Sequence, residues 1–345
     1  MKTISHFSTA AIATLLLVLA GCGGGGPPTP VKQPPPVSLD FIQMVNSDAD
    51  LTSYAYGPSI IRKDSIYHVF FCSAGAHPAW DFIRYVHSTD GKTWSLPTIM
   101  LRATGANGFD QAACDPSVVY YQGFYYMFYS SAYATTPGLF QTVIQVARSL
   151  NIDGPYLTYT QRGTWEDIPT DPQIIIKPLV TRNQDPVGYG AAPQTVVVHN
   201  GEVLLWYTDD SLDLDASRIY MLKSTDPVTW TPSPTREISI RASSIDVKFD
   251  VTKNHYVMTS LVNPHTSNAY LTRSLSSDGL SWGSSTTIID AGAFPDYANN
   301  VGAAGDEFGN ALSSQTLVAF GAPYDLNDFD NWGQWDLYGL VVNGP

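Results

Sequence analysis

The chain has 345 residues, 31 acidic against 18 basic side chains, a net charge of −13 and only 14% charged residues. That sign disfavours binding to a phosphate backbone, so no nucleic-acid partner is expected. The abundance of Tyr (20) and Trp (8) suits a neutral ligand better.

The first segment carries Lys2, the apolar run "AAIATLLLVLA" and then "GC", the layout of a secretory signal with small residues before the cut. The run is too short to span a bilayer comfortably as a mature helix. "LAGC" resembles the lipobox of bacterial lipoproteins, in which the Cys becomes the lipidated first residue, so Cys22 is expected to be a lipid anchor. Residues 1–21 then form a signal peptide, and residues 22–37, "CGGGGPPTPVKQPPPV", form the lipidated Cys and a Gly/Pro-rich tether that buries nothing. The expected location is the bacterial cell envelope, anchored by lipid to a membrane on its periplasmic or extracellular side.

From residue 38 onward no stretch sustains a long 3.6-residue apolar period. Short Val/Ile/Tyr/Phe runs separated by Gly, Asp, Asn and Pro recur instead, which reads as an all-β chain. "YGPSIIRKDSIYHVFFCS" (56–73), "CDPSVVYYQGFYYMFYSS" (114–131) and "AAPQTVVVHNGEVLLWYTD" (191–209) share a Pro-anchored start, an apolar strand, a turn and an aromatic strand, which together make a β-hairpin. Each unit adds a second hairpin: "RYVHSTDGKTWS" (84–95), "QVARSLNIDGPYLTY" (145–159), "MLKSTDPVTWTP" (221–232) and "LTRSLSSDGLSWGS" (271–284). In these the Asp can bond turn amides while the aromatic packs between sheets. A fourth unit opens with "SSIDVKFDVTKNHYVMTSL" (243–261), and a fifth runs through "NNVGAAGDEFGNALSSQTLVAFGAP" (299–323).

Two hairpins per unit and about five units predict an all-β fold: a five-bladed β-propeller with four-stranded antiparallel blades over residues 38–345. Either "LDFIQMVN" (39–46) or "WDLYGLVVN" (335–343) should complete the last blade. A two-sheet sandwich is the structural alternative. Cys72 and Cys114, each beside a blade start, could pair in an oxidising compartment or remain two buried thiols.

The residues resemble the five-bladed propeller glycoside hydrolases of the arabinanase and β-xylosidase family, family 43-like. "DPSVVYYQGFYYMFYSS" is similar to that family's second-blade start, and "ARSLNIDGPY" (147–156) to its A-R-S-x-x-x-x-G-P-Y segment. The resemblance covers residues 50–290. It implies three carboxylates converging on an axial funnel: an Asp as general base in the first blade, an Asp that tunes and orients the acid in the second, and a Glu as general acid in the third. Only the second is present here, as Asp115. The first position is Gly57, before Pro58, and the third is Ala191, in Ala191-Ala192-Pro193. Neither can move a proton.

Asp115 is therefore either a funnel carboxylate or an Asx-type cap of the blade start. Asp246, at an expected inner-strand start, is the second candidate for catalysis. Asp48, Asp50, Asp81, Asp209, Asp210, Asp306 and Glu307 are acids that read as turn residues. Tyr54, Tyr56, Trp80, Tyr133, Tyr189 and Trp206 cluster at blade starts or strand ends, where flat rings suit the apolar faces of sugars, and Gln194 stands beside the third start. Seven scattered histidines show no zinc spacing, and "DDSLDLDAS" (209–217) lacks the Gly turn and terminal Glu of a helix-loop-helix calcium site. No metal or cofactor is expected, and the chain is expected to be a monomer. Three functions fit this pattern: a membrane-anchored glycoside hydrolase, a catalytically depleted propeller that binds carbohydrate, and a protein-interaction propeller.

Overall fold

A computed structural model of the chain describes residues 39–344 except 51, 106–109, 137–138, 182–186, 189, 212–217, 231–235, 241, 243 and 324–333. In chain order the strands begin with β1 (Ile42–Val45). The first blade follows: β2 (Ala55–Lys63), β3 (Ile66–Ala74), β4 (Asp81–Ser88) and β5 (Thr98–Arg102). The second holds β6 (Cys114–Tyr121), β7 (Phe124–Thr136), β8 (Leu139–Ser149), β9 (Leu157–Tyr159), β10 (Trp165–Glu166) and β11 (Val187–Gly188). The third holds β12 (Ala191–His199), β13 (Glu202–Asp209), β14 (Arg218–Ser224) and β15 (Arg236–Glu237). The fourth is β16 (Ser244–Asp250), β17 (His255–Val262), β18 (Tyr270–Ser276) and β19 (Thr286–Ile289), and the chain ends with β20 (Asn299–Ala303), β21 (Gln315–Pro323) and β22 (Trp335–Asn343).

The fifth sheet runs β1-β22-β21-β20, so both terminal strands complete it: β22 is third from the axis and β1 is the outer edge, with Ile42 opposite Gly339 and Val45 opposite Leu337. The second blade departs from the four-stranded plan, because β10 and β11 widen it to six strands. The ring is closed. Each first strand touches the next, β2 with β6, β6 with β12, β12 with β16, β16 with β20 and β20 with β2. Five apolar clusters fill the five gaps between neighbouring blades, including one that joins the fifth blade (Leu317, Ala319, Leu337) to the first (Ile60, Val69, Phe71). A two-sheet sandwich would have one such gap, not five.

Strand alternation explains the composition. Leu205 and Tyr207 face the second blade while Leu204 and Trp206 face the fourth, so both sides of β13 are core. The outer turns behave as their sequences require. Asp278 Oδ1 accepts the amides of Leu280 (2.8 Å) and Ser281 (2.7 Å), and these backbone bonds, Ser281 first, hold its carboxyl down at about 2. Trp282 packs behind that turn, buried.

The connection between β20 and β21 crosses the far end of the axis. Gly305 O accepts Arg62 N (2.7 Å), Glu307 O accepts Tyr120 N (2.6 Å), Phe308 O accepts Val198 N (2.8 Å) and Gly309 O accepts Phe249 N (3.0 Å). One loop from the fifth blade thus bonds the first strand of each of the other four. Asp306 folds the loop by accepting the amides of Phe308 and Asn310, and Glu307 pairs with Lys63 at 2.6 Å. Asp306 and Glu307 therefore belong to a plug at one end of the axis, and the blade starts lie at the other.

Candidate functional site

Antiparallel pairing sets the start of each first strand against the end of its second: Ala55 with Ser73, Cys114 with Ser130, Ala191 with Asp209, Ser244 with Leu261, Asn299 with Gly321. All five starts and all five connections from second to third strand consequently share one face. The β7–β8 hairpin overshoots this face, continuing past Ser130 to Thr136 and returning from Leu139.

At this face the register shifts between Tyr56 and Ser59, between Cys114 and Ser117, and between Asn299 and Val301. Gly57, Asp115 and Asn300 sit in these bulges with φ of 62°, 44° and 44°. A bulge re-aims one side chain out of the pleat. Left-handed backbone is tolerated at Gly, Asp and Asn, which is why these residue types occupy the three positions.

The bulges bring the three positions together. Asn300 Nδ2 donates to Asp115 Oδ1 at 2.7 Å, and a Cβ added at Gly57 would lie only 2.9 Å from that same oxygen. The Asp115 carboxyl leans across the glycine, occupying the space a side chain at 57 would need. Gln194 braces it from the third blade. Its Nε2 donates to the backbone carbonyls of Asp115 and Phe128, and its Oε1 accepts from Ser130 Oγ (3.2 Å). Gln194 is buried and its amide is spent on these bonds, so it positions Asp115 and does not face a ligand.

Cys72 and Cys114 are joined in a disulfide that links β3 to β6. A carboxylate oxygen of Asp81 lies within 4.8 Å of both sulfurs. Tyr54 donates its hydroxyl to that carboxylate and lies 3.2 Å from the carbonyl of Trp80. Asp81 thus stands beside the strand that carries Asp115. Burial pushes the Asp115 carboxyl up to about 7, against hydrogen bonds from Ser130 and Asn300 and with added repulsion from Asp81. Burial likewise lifts Asp81 to about 6, opposed by the Tyr54 hydroxyl. Two neighbouring carboxyls that titrate near neutrality, on the open end of a propeller axis, can accept hydroxyl protons when ionised and donate when protonated.

The other expected site residues divide. Tyr54 is half-buried beside Asp81, Tyr133 is half-buried on the overshooting hairpin opposite Gln141, and Trp80 is 39% exposed. Tyr189 and Cys22 lie outside the described residues. Three expectations are corrected. Trp206 has no exposed surface and donates its indole N–H to Gly279 O (2.8 Å) in the gap between the third and fourth blades. Tyr56 is buried against Trp335, its hydroxyl 3.1 Å from Cys114 Sγ. Asp246 is no free acid: its carboxylate takes Thr195 Oγ1 (2.7 Å), Ala303 N (2.6 Å) and both oxygens contact Lys248 Nζ (2.7 Å). It clamps three first strands together.

Asn300, Ser130 and Phe140 were missed by sequence reasoning, and Asp81 was read as a turn residue. Asn300 had a signal: in the fifth unit it stands where Gly57 and Asp115 stand in the first and second.

No protein-family model matches the sequence, and no curated protein does. Solved structures do match. The catalytic domain of a family 62 α-L-arabinofuranosidase from Coprinopsis cinerea superposes with a TM-score of 0.60 at 14% identity, over 89% of this chain and 98% of that one. An α-L-arabinofuranosidase from Podospora anserina, in complex with cellotriose, gives 0.59 at 12%, over 90% and 98%. A family 117 glycoside hydrolase from Zobellia galactanivorans gives 0.57 at 15%, over 89% of each chain. The fold is that of glycoside-hydrolase propellers.

Proposed function

We propose that the chain is a glycoside-hydrolase-like propeller whose funnel binds a neutral polysaccharide or oligosaccharide through Asp115, without the family's base and acid. The observation that carries this reading is the arrangement over Gly57. The one surviving carboxyl fills the space where the first-blade base would stand, and the third-blade position, Ala191, is a buried methyl. An Asp115 carboxylate with one oxygen held by Asn300 is suited to accept sugar hydroxyls. General acid and base groups typically contribute roughly 10² to 10⁴-fold each, so losing both at their family positions weighs against the family mechanism.

The raised carboxyls favour a second reading, hydrolysis by Asp115 and Asp81 as a relocated pair. Here one carboxyl of the pair, kept protonated, would feed the leaving oxygen while the other, ionised, activates water. The test is calorimetric binding of the full chain to arabinan, xylan, cellulose and fructan oligosaccharides, alongside release of reducing sugar from the same panel. Binding without turnover, lost in Asp115→Asn, supports the binding reading. Turnover lost in both Asp115→Asn and Asp81→Asn selects hydrolysis, and no binding to any glycan overturns both.

Membrane anchoring through Cys22 is part of the same proposal. It is supported by the lipobox-like "LAGC", by the tether that follows, and by a disulfide suited to an oxidising compartment. Mass spectrometry of the N-terminal peptide tests it. A diacylated Cys22 that Cys22→Ser abolishes is expected; an unmodified Cys22 contradicts it.

A further inference from the structure

Resting on the carbohydrate reading above, we infer that Trp80 and Phe140 form a second sugar-stacking subsite outside the funnel, so that the ligand is an oligosaccharide rather than a single sugar. Trp80 is the one tryptophan among the ten large apolar side chains exposed in the described residues, at 39%, and its ring packs edge to face on Phe140 with centroids 5.0 Å apart. The two rings come from different blades. Trp80 precedes β4, whereas Phe140 rides on the part of β8 that overshoots the first strands, where Val187 of β11 pairs with it.

The Trp80 backbone sits on an ordered frame. Trp80 N donates to Gln111 O (2.7 Å), and Trp80 O accepts from Gly75 N (2.7 Å) and lies 3.2 Å from the Tyr54 hydroxyl. A tryptophan whose ring already packs on Phe140 loses little side-chain freedom on stacking against a ligand, and its flat face complements the C–H face of a pyranose or furanose ring. Burial in the blade core does not account for it, unlike Trp206 and Trp282.

Trp80 lies a short reach from Asp115. Asp81 bridges to Ala112, and Ala112 lies three residues before Asp115, at most roughly 10 Å along the chain. Between them lie Tyr54 and the Asp81 carboxyl, polar groups suited to hydroxyls along the way. The plug at the other end of the axis bonds four first strands, so a chain held at Asp115 continues over this rim and does not thread the ring. A short chain held at Asp115 can reach Trp80 over this rim.

The experiment measures affinity of the full chain for xylo-, cello- and arabino-oligosaccharides of increasing length from the monosaccharide upward, for wild type, Trp80→Ala, Trp80→Phe and Phe140→Ala. Affinity of wild type is expected to rise with length, and Trp80→Ala is expected to lose roughly tenfold for the longer members while leaving the monosaccharide unchanged. Trp80→Phe should restore part of the loss, and the circular dichroism spectrum of Trp80→Ala should match wild type, its melt lowered by no more than in Phe140→Ala, because the side chain lies at the rim and not between blades. Length-dependent affinity that survives in both Trp80→Ala and Phe140→Ala overturns the subsite, as does length-independent wild-type binding. If wild type binds no member at any length, the carbohydrate reading fails with it, and that outcome is distinct because the variants then have nothing to lose.

Discussion

Asp115→Asn is a near-isosteric change that removes one ionisation, and it should stabilise the protein in a pH-dependent way. The folded carboxyl titrates at about 7 against an ordinary 3.8, because burial disfavours its charged form. Its native state therefore holds a proton that the unfolded chain has already released. The group's contribution is fully favourable below about pH 4 and declines as pH rises, until it levels off above 7. A shift of about 3 units, at 1.36 kcal/mol per unit, sets an upper limit of about 4 kcal/mol at pH 8, and about 1.5 kcal/mol of that is already present at pH 5. The side chain is only half-buried, so water screens part of this, and a change of about 1–2 kcal/mol between the two pH values is expected. Asn can still accept from Asn300 and is at home at a positive φ, so the bulge is preserved. Urea unfolding of both proteins at pH 5 and pH 8, followed by tryptophan fluorescence, makes the comparison. The variant should gain stability over wild type more strongly at pH 8 than at pH 5. An advantage independent of pH, or larger at pH 5, would refute a half-buried Asp115 whose carboxyl titrates near neutrality.

Three further perturbations separate scaffold from site. Asp246→Ala should destabilise by about 3 kcal/mol in urea, because it strands the largely covered Lys248 ammonium and the Ala303 N–H; a double change with Lys248→Met should recover much of that loss. Replacing Cys72 and Cys114 with Ser should cost about 4 kcal/mol by the chain-entropy estimate for a separation of 42 residues, seen as a lowered urea midpoint with the native circular dichroism spectrum retained. Gly309→Val should lower the melting temperature of the whole domain, since φ there is 81° and a Cβ would meet Val196 O and Val197 Cα at 3.1 Å; an unchanged melting temperature would mean the plug loop does not tie the ring.

The blade count was legible in the sequence because each blade is local antiparallel hairpins, whose turns and Pro-anchored starts repeat within the chain. Ring closure followed from the leftover strands, although the sequence offered two candidates for the last place and the fold uses both. Asp115 was legible for the same reason, being the acid in a repeated frame. Asn300 was not, because its unit carries Val301 where the first two units carry Pro58 and Pro116, so a frame anchored on proline passes over it. The aromatics misled for a physical reason. Both faces of a blade are core, so Trp206 and Trp80 look alike as residues near strand ends, and only the gap between blades buries one of them. Asp246 looked like a funnel acid because it is near the start of β16, yet β16 pairs with β17 without the register shift that re-aims Asp115. Its side chain stays between strands and is neutralised by Lys248.

The most direct test of the central claim, that the open end of the axis at Asp115 receives carbohydrate, is a crystal structure of the full chain with the tightest-binding oligosaccharide of the panel. The account predicts a sugar hydroxyl within hydrogen-bond distance of the Asp115 carboxyl, on the face shared by the five blade starts. A sugar seated instead at the plug formed by Asp306 to Asn310, or on the outer edge of a blade, would contradict it.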